Sequence, residues 1–307
     1  MMNKILILAG GYSNERQISL ITAKSVIQEL KKAKKYNLLL IEPNGNFVNK
    51  LRKFKPDLVF NLLHGRYGED GYIQSILESE KVKYTHSGVL SSSLAIDKEI
   101  SKKIFIKNHI LTPPYFKFLF KNNFNIKTII KKIDNNLKFP VVLKPINEGS
   151  SVGVYISNKK NFNRNLMKLK KFKEVLIEKY IPGREIQAAI LGNKKLGIIE
   201  LKPKRKFYDY KAKYSESAKT EHIIPVNISS KNYNNVNSIA MRAHKLLKCR
   251  GVSRSDFRFY NNKFYLLELN TQPGMTSLSL VPEIARYRNI SFMQLIEEIM
   301  NDASINK

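Results

Sequence analysis

The opening ninety residues alternate short apolar runs, glycine turns and amphipathic stretches, and this alternation narrows the possible folds more than any other feature of the chain. Ile5-Leu6-Ile7-Leu8-Ala9 is an apolar run stopped by Gly10-Gly11. A helix is expected near 15–33, with Ile18, Ile21, Val26 and Leu30 at roughly helical spacing. Residues 37–41 read as a second strand and 47–54 as a short helix. Leu58 to Leu63 read as a third strand running into His64-Gly65, and 71–79 as another helix. Strand, turn and helix in repetition imply a parallel sheet with right-handed crossovers. Ligands of such sheets collect at the carboxyl ends of the strands, and Glu15 and His64 both fall just after strand ends.

The rest of the chain changes character. From about 95 to 183 the pattern gives a helix near 97–108, strands at 115–119, 140–145 and 152–157, a lysine-rich helix near 159–171, and a strand beginning at Val175 and ended by Pro182-Gly183. Beyond 184 come strands near 185–191 and 196–201 joined by Gly192-Asn193, a hairpin signal. An aromatic polar loop over 205–222, a helix over 232–248, a hairpin over 254–269 and two closing helices follow. The fold class is therefore α/β, with units expected at 1–95, 96–183 and 184–307.

The last hairpin carries the most chemistry. Phe257 and Phe259 alternate with polar residues on its first strand, as do Tyr265, Leu267 and Leu269 on its second. Side chains alternate with period two, so both apolar sets should face one core. Placing Phe257 opposite Leu267 achieves this and requires a three-residue loop, Asn261-Asn262-Lys263. Asp256 then lies opposite Glu268, with Asn270 one pleat further along the same face. Three hard oxygen donors in one patch suit Mg²⁺. A solvated polar face would show the same pattern, and the hairpin alone does not decide between them.

The charge invites another class of function. Lys+Arg number 54 against 25 Asp+Glu, a net +29, and nucleic-acid binders are basic. The lysines are spread over the whole length beside Asn and Ile, however, as in Lys31-Lys32-Ala33-Lys34-Lys35. That pattern fits AT-rich codon usage and solvated helix faces, so no specific nucleic-acid partner is expected. No stretch reaches the ~18 apolar residues of a membrane span. The single cysteine, Cys249, fits a reducing compartment and reads as a small apolar filler in a helix. Together these place the protein in the cytoplasm, away from membranes.

At the hairpin the sequence begins to resemble the ATP-grasp enzymes. The run Glu268-Leu269-Asn270-Thr271-Gln272-Pro273-Gly274-Met275-Thr276-Ser277-Leu278-Ser279-Leu280 is similar to the signature of the D-alanine:D-alanine ligase family. Four further blocks match in the family's order: His64 to Gly71, Glu148 to Gly153, Glu178 to Glu185, and Phe207 to Tyr214. The resemblance implies a three-domain ATP-grasp fold with an N-terminal parallel-sheet (preATP-grasp) domain. It implies ATP and Mg²⁺ or Mn²⁺, with two ions, and commonly a homodimer. It also implies ligation of two D-alanines through an acyl phosphate in peptidoglycan precursor synthesis, the alternatives being D-alanine:D-lactate or D-alanine:D-serine ligation.

Residue roles follow from the same resemblance. Lys98 and Lys144 match phosphate-binding lysines, with Ser151 in the glycine-rich loop beside them. Lys144 also stands in the apolar strand Val141-Val142-Leu143, where a charge needs a partner. Glu178, with the backbone of Lys179 and Ile181, matches the adenine contact, and Glu185 the ribose contact. Glu15 would bind the ammonium of the first D-alanine and His64 would lie near its carboxylate. Ser150 and Tyr214 would link to Glu15, and Lys213 would meet the transferring phosphoryl group. Arg254 and the Gly274 N–H would hold the oxyanion, Ser279 and Leu280 would receive the second D-alanine, and Asp256, Glu268 and Asn270 would ligate metal. Gln272 and Lys211 depart from the family pattern, which bears on substrate affinity. The 205–222 loop is expected to be an active-site lid.

Overall fold

The computed structural model describes residues 3–121, 123–149, 152–202, 220–276 and 278–305. Three sheets organise them. The first, ordered β2-β1-β3, is parallel and formed by β1 (Asn3–Leu8), β2 (Tyr36–Ile41) and β3 (Leu58–Asn61). Its continuous apolar strand has a physical reason: β1 is covered on both faces. Ile5 and Ile7 enter one core with Val26 and Leu30 of α1 (Arg16–Lys32). Leu6 and Leu8 enter another with Phe47 and Leu51 of α2 (Phe47–Phe54) and Ile73 and Leu77 of α3 (Tyr72–Ser79).

Two antiparallel sheets follow. One is ordered β4-β7-β5-β6, from β4 (Tyr115–Leu119), β5 (Val141–Pro145), β6 (Tyr155–Ser157) and β7 (Glu174–Lys179). Its core takes in Ile129 and Ile133 of α6 (Ile126–Asn136) and Phe162 and Leu166 of α7 (Phe162–Lys168). The other is ordered β10-β9-β8-β11-β12, from β8 (Arg184–Leu191), β9 (Lys194–Lys202), β10 (Glu221–Ile223), β11 (Val252–Tyr260) and β12 (Lys263–Asn270). Ile186, Ala188, Ile190 and Phe257 of this sheet pack with Phe105 of α5 (Lys98–Lys107) and with Val236 and Ala240 of α8 (Ser230–Leu246). Its opposite face puts Ala189 and Leu191 into the core shared with β1, together with Ile284 of α9 (Leu280–Tyr287) and Leu295 and Ile299 of α10 (Phe292–Asn301). Among the described residues no helix is long and apolar enough to cross a membrane.

Four sequence readings are corrected. In α1, Ile21 is 52% exposed, while Ser19 and Thr22 are buried. The apolar stripe is interrupted because Ser19 Oγ serves loop backbone: it accepts from the Gly10 N–H at 2.8 Å and donates to the Leu62 carbonyl at 2.7 Å. Phe257 pairs with Leu266, not Leu267. Asn261 and Asn262, at φ 48° and 57°, form a two-residue turn, and the extra residue is taken up by a register shift between Asp256 and Phe257. The buried set on β12 is therefore Phe264, Leu266 and Leu269, with Tyr265 and Leu267 less covered. Cys249 lies beyond the end of α8, buried, with its thiol pushed up to about 11 by burial. Finally, α4 (Val89–Ile96) and α6 were missed altogether, although Ile126, Ile129, Ile130 and Ile133 have helical spacing.

Candidate active site

The largest group of site residues meets in a cleft between the four-stranded and five-stranded sheets. Lys98, Lys144, Glu148, Glu178, Lys179, Ile181, Glu185, Asp256 and Glu268 all line it. Its apolar walls come from Val142, Val152, Val154, Ile181 and Leu267. A cleft with apolar walls and charged side chains of both signs suits a ligand with one aromatic and one polyanionic part.

Neighbouring charges hold each other. Lys144 Nζ lies 2.8 Å from Glu178 Oε1, and Lys102 Nζ lies 3.1 Å from Oε2. Burial alone would raise the Glu178 carboxyl, but the two lysines reverse this and hold it below the usual carboxylate range. The Lys102 ammonium goes down to about 8, chiefly through burial and also through Lys144, against the pull of Glu178. Lys98 Nζ donates to the Glu148 carbonyl at 2.6 Å and stands 3.4 Å from Glu268 Oε2. Arg258 faces Glu185 across the β11–β8 ladder, 3.1 Å apart. The Lys179 N–H is committed to the Pro114 carbonyl at 2.8 Å, so its carbonyl and side chain are what remain for a ligand.

The hairpin brings its three oxygen donors together. Asp256 pairs with Glu268 and Arg254 with Asn270 in the β11–β12 ladder, so all four share one face. Arg254 grips Asp256 through Nε at 2.8 Å and Nη2 at 3.0 Å. Asn270 Oδ1 accepts the Gln272 N–H at 2.8 Å. Gln187, opposite Asp256 in the neighbouring ladder, is fully buried with neither amide atom hydrogen-bonded.

A second group of site residues lies at the ends of β1 and β3. Glu15 is 7% exposed at the start of α1 and presses against two glycines. A Cβ on Gly65, whose φ is +70°, would fall 2.6 Å from Glu15 Oε2, and one on Gly149 would fall 2.9 Å away. Any larger residue there would displace the carboxylate. Glu15 thus lies against the loop that leads to Ser150. His64 is buried between Glu69, 3.0 Å from Nδ1, and Thr22, 3.3 Å from Nε2. Burial opposes the imidazolium, but the Glu69 carboxylate, helped by Glu15, outweighs it and the net direction is upward. Gly274 approaches Ser279, since a Cβ there would be 3.1 Å from Ser279 Oγ. That hydroxyl accepts the Thr276 N–H at 3.0 Å. The Leu280 side chain is buried in the core, leaving its backbone at the start of α9 to face a ligand. Ser150, Ser151, Lys213 and Tyr214, with Lys211 and most of the 205–222 loop, lie outside the described residues.

Residues 105–301 match the family model described as D-ala D-ala ligase C-terminus. A D-alanine--D-alanine ligase from Pelagibacter ubique is 62% identical over 307 residues, covering all of both chains. The chain belongs to the D-alanine--D-alanine ligase family. A crystal structure of the Bacillus anthracis ligase superposes with a TM-score of 0.86 at 35% identity, covering 98% of this chain and 97% of that one. A crystal structure of a Bacillus anthracis D-alanine--D-alanine ligase complexed with ATP gives 0.84 at 31% identity, with the same coverage. As in other members of this ligase family, the fold is α/β, with a parallel sheet and two antiparallel ones.

Family motifs did not reveal three residues that the structure of this ligase family member brings to the site. Lys102 pairs with Glu178, Arg258 pairs with Glu185, and Asn61 donates to Gln272 Oε1 at 3.0 Å. Gln272 Nε2 in turn donates to the Leu63 carbonyl, so its side chain ties the His64 loop to the segment after β12. Lys102 had one available signal, its four-residue spacing from Lys98 on an amphipathic helix.

Proposed function

We infer that this chain is an ATP-dependent ligase that joins two D-alanines into D-alanyl-D-alanine, through an acyl phosphate, for cell-wall precursor synthesis. One observation supports this most: the phosphate-type lysines and the acidic hairpin line one cleft, and Glu15 packs against Gly149, next to the cleft residue Glu148, in a chain of this ligase family. A carboxylate is a poor electrophile, and phosphorylation gives it a leaving group. The protein's work is then to align reactants and stabilise developing charge.

The roles fit that chemistry. Lys98 and Lys144 meet the phosphates, and the strand segment around Glu178, Lys179 and Ile181 meets the base. Glu185, oriented by Arg258, meets the ribose. Glu15 takes the first ammonium and His64 lies by its carboxylate. Arg254 and the Gly274 N–H hold the oxyanion, and the carboxylate of the second D-alanine meets Ser279 and the start of α9. Ser150, Ser151, Lys213 and Tyr214 complete the set from the sequence match.

The acidic hairpin fits a divalent ion. Asp256, Glu268 and Asn270 present hard oxygens on one face. Arg254 and Lys98 now supply positive charge to the two carboxylates, and the Gln187 amide, opposite Asp256 in the neighbouring ladder, is without a hydrogen-bond partner. Bound there, Mg²⁺ or Mn²⁺, as two ions, would neutralise phosphate charge. A homodimer, a cytoplasmic location and division at 1–95, 96–183 and 184–307 complete the reading. D-alanine labelled with ¹⁸O in its carboxylate tests the mechanism. Each turnover should move one ¹⁸O into inorganic phosphate, and unlabelled phosphate would exclude the acyl phosphate.

A further inference from the structure

Lys102 is the one fully buried lysine among the described residues. It arrives there by helix geometry. Asp97 caps α5, accepting from the N–H groups of Glu99 and Ile100, and this fixes the helix's rotation. Lys98 and Lys102 then lie one turn apart on the inner face. Lys98 reaches the cleft, whereas Lys102 stops behind Glu178 and is absent from the cleft lining. Its ammonium also sits 5.4 Å from the Tyr115 ring centre.

Glu178 therefore has one lysine per oxygen: Lys144 on the cleft side at 2.8 Å and Lys102 on the core side at 3.1 Å. One carboxylate needs only one cation. If Lys144 is to grip a nucleotide phosphate, it must loosen its hold on Glu178. A buried carboxylate left with no partner is strongly unfavourable. With Lys102 in place that cost does not arise.

We propose that Lys102 is the standing counter-ion of Glu178, a positioning residue that lets Lys144 exchange Glu178 for a phosphate of the bound nucleotide. This rests on the cleft being the nucleotide site. Without Lys102, Lys144 is Glu178's sole partner and stays on it. The outcome is a nucleotide-specific defect that disappears once Glu178 loses its charge.

The test uses the full-length enzyme with ADP as the calorimetric probe, together with steady-state turnover. Wild-type ADP binding and D-alanine-dependent ADP release are measured first, and their absence would count against the functional reading, separately from Lys102. Lys102→Met should raise the KM for ATP and the Kd for ADP about tenfold, roughly one factor of ten per 1.4 kcal/mol, leaving the D-alanine KM and kcat within about twofold. Adding Lys102→Met to Glu178→Gln should change ADP affinity by less than about twofold, because no charge remains to hold Lys144. That comparison also decides the matter if Lys102→Met alone does not fold. A tenfold loss in the double variant relative to Glu178→Gln, or an equal rise in both substrates' KM with no rescue, would overturn the proposal and leave Lys102 a purely structural residue.

Discussion

The cleft proposed for the nucleotide and the Glu15 region proposed for D-alanine are built in different ways. In the cleft, charged side chains on neighbouring strands are already paired with one another: Lys144 and Lys102 with Glu178, Arg258 with Glu185, Arg254 with Asp256, Lys98 near Glu268. A ligand there exchanges one ionic partner for another, which keeps buried charges compensated before and after binding. The Glu15 region relies more on close backbone approach and neutral hydrogen bonds, beside the His64–Glu69 pair. Glycines 65 and 149 admit Glu15, and Ser19, Thr22, Asn61 and Gln272 hold the loops that carry it and His64. The cleft should therefore tolerate small shifts and be sensitive to charge, whereas the Glu15 region should be more sensitive to shape.

The largest effect is expected on the charged side. Glu268→Gln removes one of the two hairpin carboxylates without changing its size, and kcat should fall on the order of 10²–10³-fold, as for loss of one transition-state charge contact. The melting temperature should hold, since Glu268 is partly exposed and lies outside the apolar cores. Near-normal turnover would remove the hairpin from the phosphoryl-transfer site.

Glu15→Gln should next raise the KM of the first D-alanine about thirtyfold, corresponding to about 2 kcal/mol for a buried charge pair. The KM for ATP should stay unchanged, and a matching rise in it would erase the distinction between the two regions. Gln272→Ala sharpens the shape argument without touching any charge. It removes the Gln272 donor from the Leu63 carbonyl and one acceptor from Asn61, which keeps Gly68, so the D-alanine KM should rise about tenfold, in line with about 1–2 kcal/mol for an unsatisfied buried group. An unchanged KM would mean that the His64 loop holds its position unaided.

The smallest effect is one of pH. The folded His64 keeps its proton above its ordinary 6.5 because Glu69 outweighs burial. Its charge is complete at low pH and is lost as pH rises through the raised value. The D-alanine KM should therefore rise as pH climbs through that raised value, by about fivefold, or about 1 kcal/mol for a charge-assisted hydrogen bond over a neutral one. His64→Asn should flatten this profile, and a profile unchanged by that substitution would assign the pH dependence elsewhere.

How much the sequence revealed also differs between the regions. The parallel sheet was legible because β1 is covered on both faces and so reads as one apolar run. The Asp256–Glu268 pairing was legible because alternation along a hairpin is physical. The route to it was not: a single bulge shifts the phase by one residue, and Asn261-Asn262 closes a tighter turn than the assumed three-residue loop. Lys102 was hidden because its environment is tertiary. In a chain with 54 basic residues, nothing local separates a lysine behind Glu178 from one in water. Gln272 stood out as a departure from the family pattern, but its partners lie more than 200 residues away in the chain. The likeness to solved ligases carried what periodicity could not.

The most direct test of the account is a parallel measurement of ADP release and D-alanyl-D-alanine formation, with ATP, Mg²⁺ and one amino or hydroxy acid mixture at a time. D-alanine alone should give one ADP per dipeptide, and L-alanine should give none. If D-alanine alone released no ADP while D-alanine with D-lactate or D-serine did, the central claim would be contradicted.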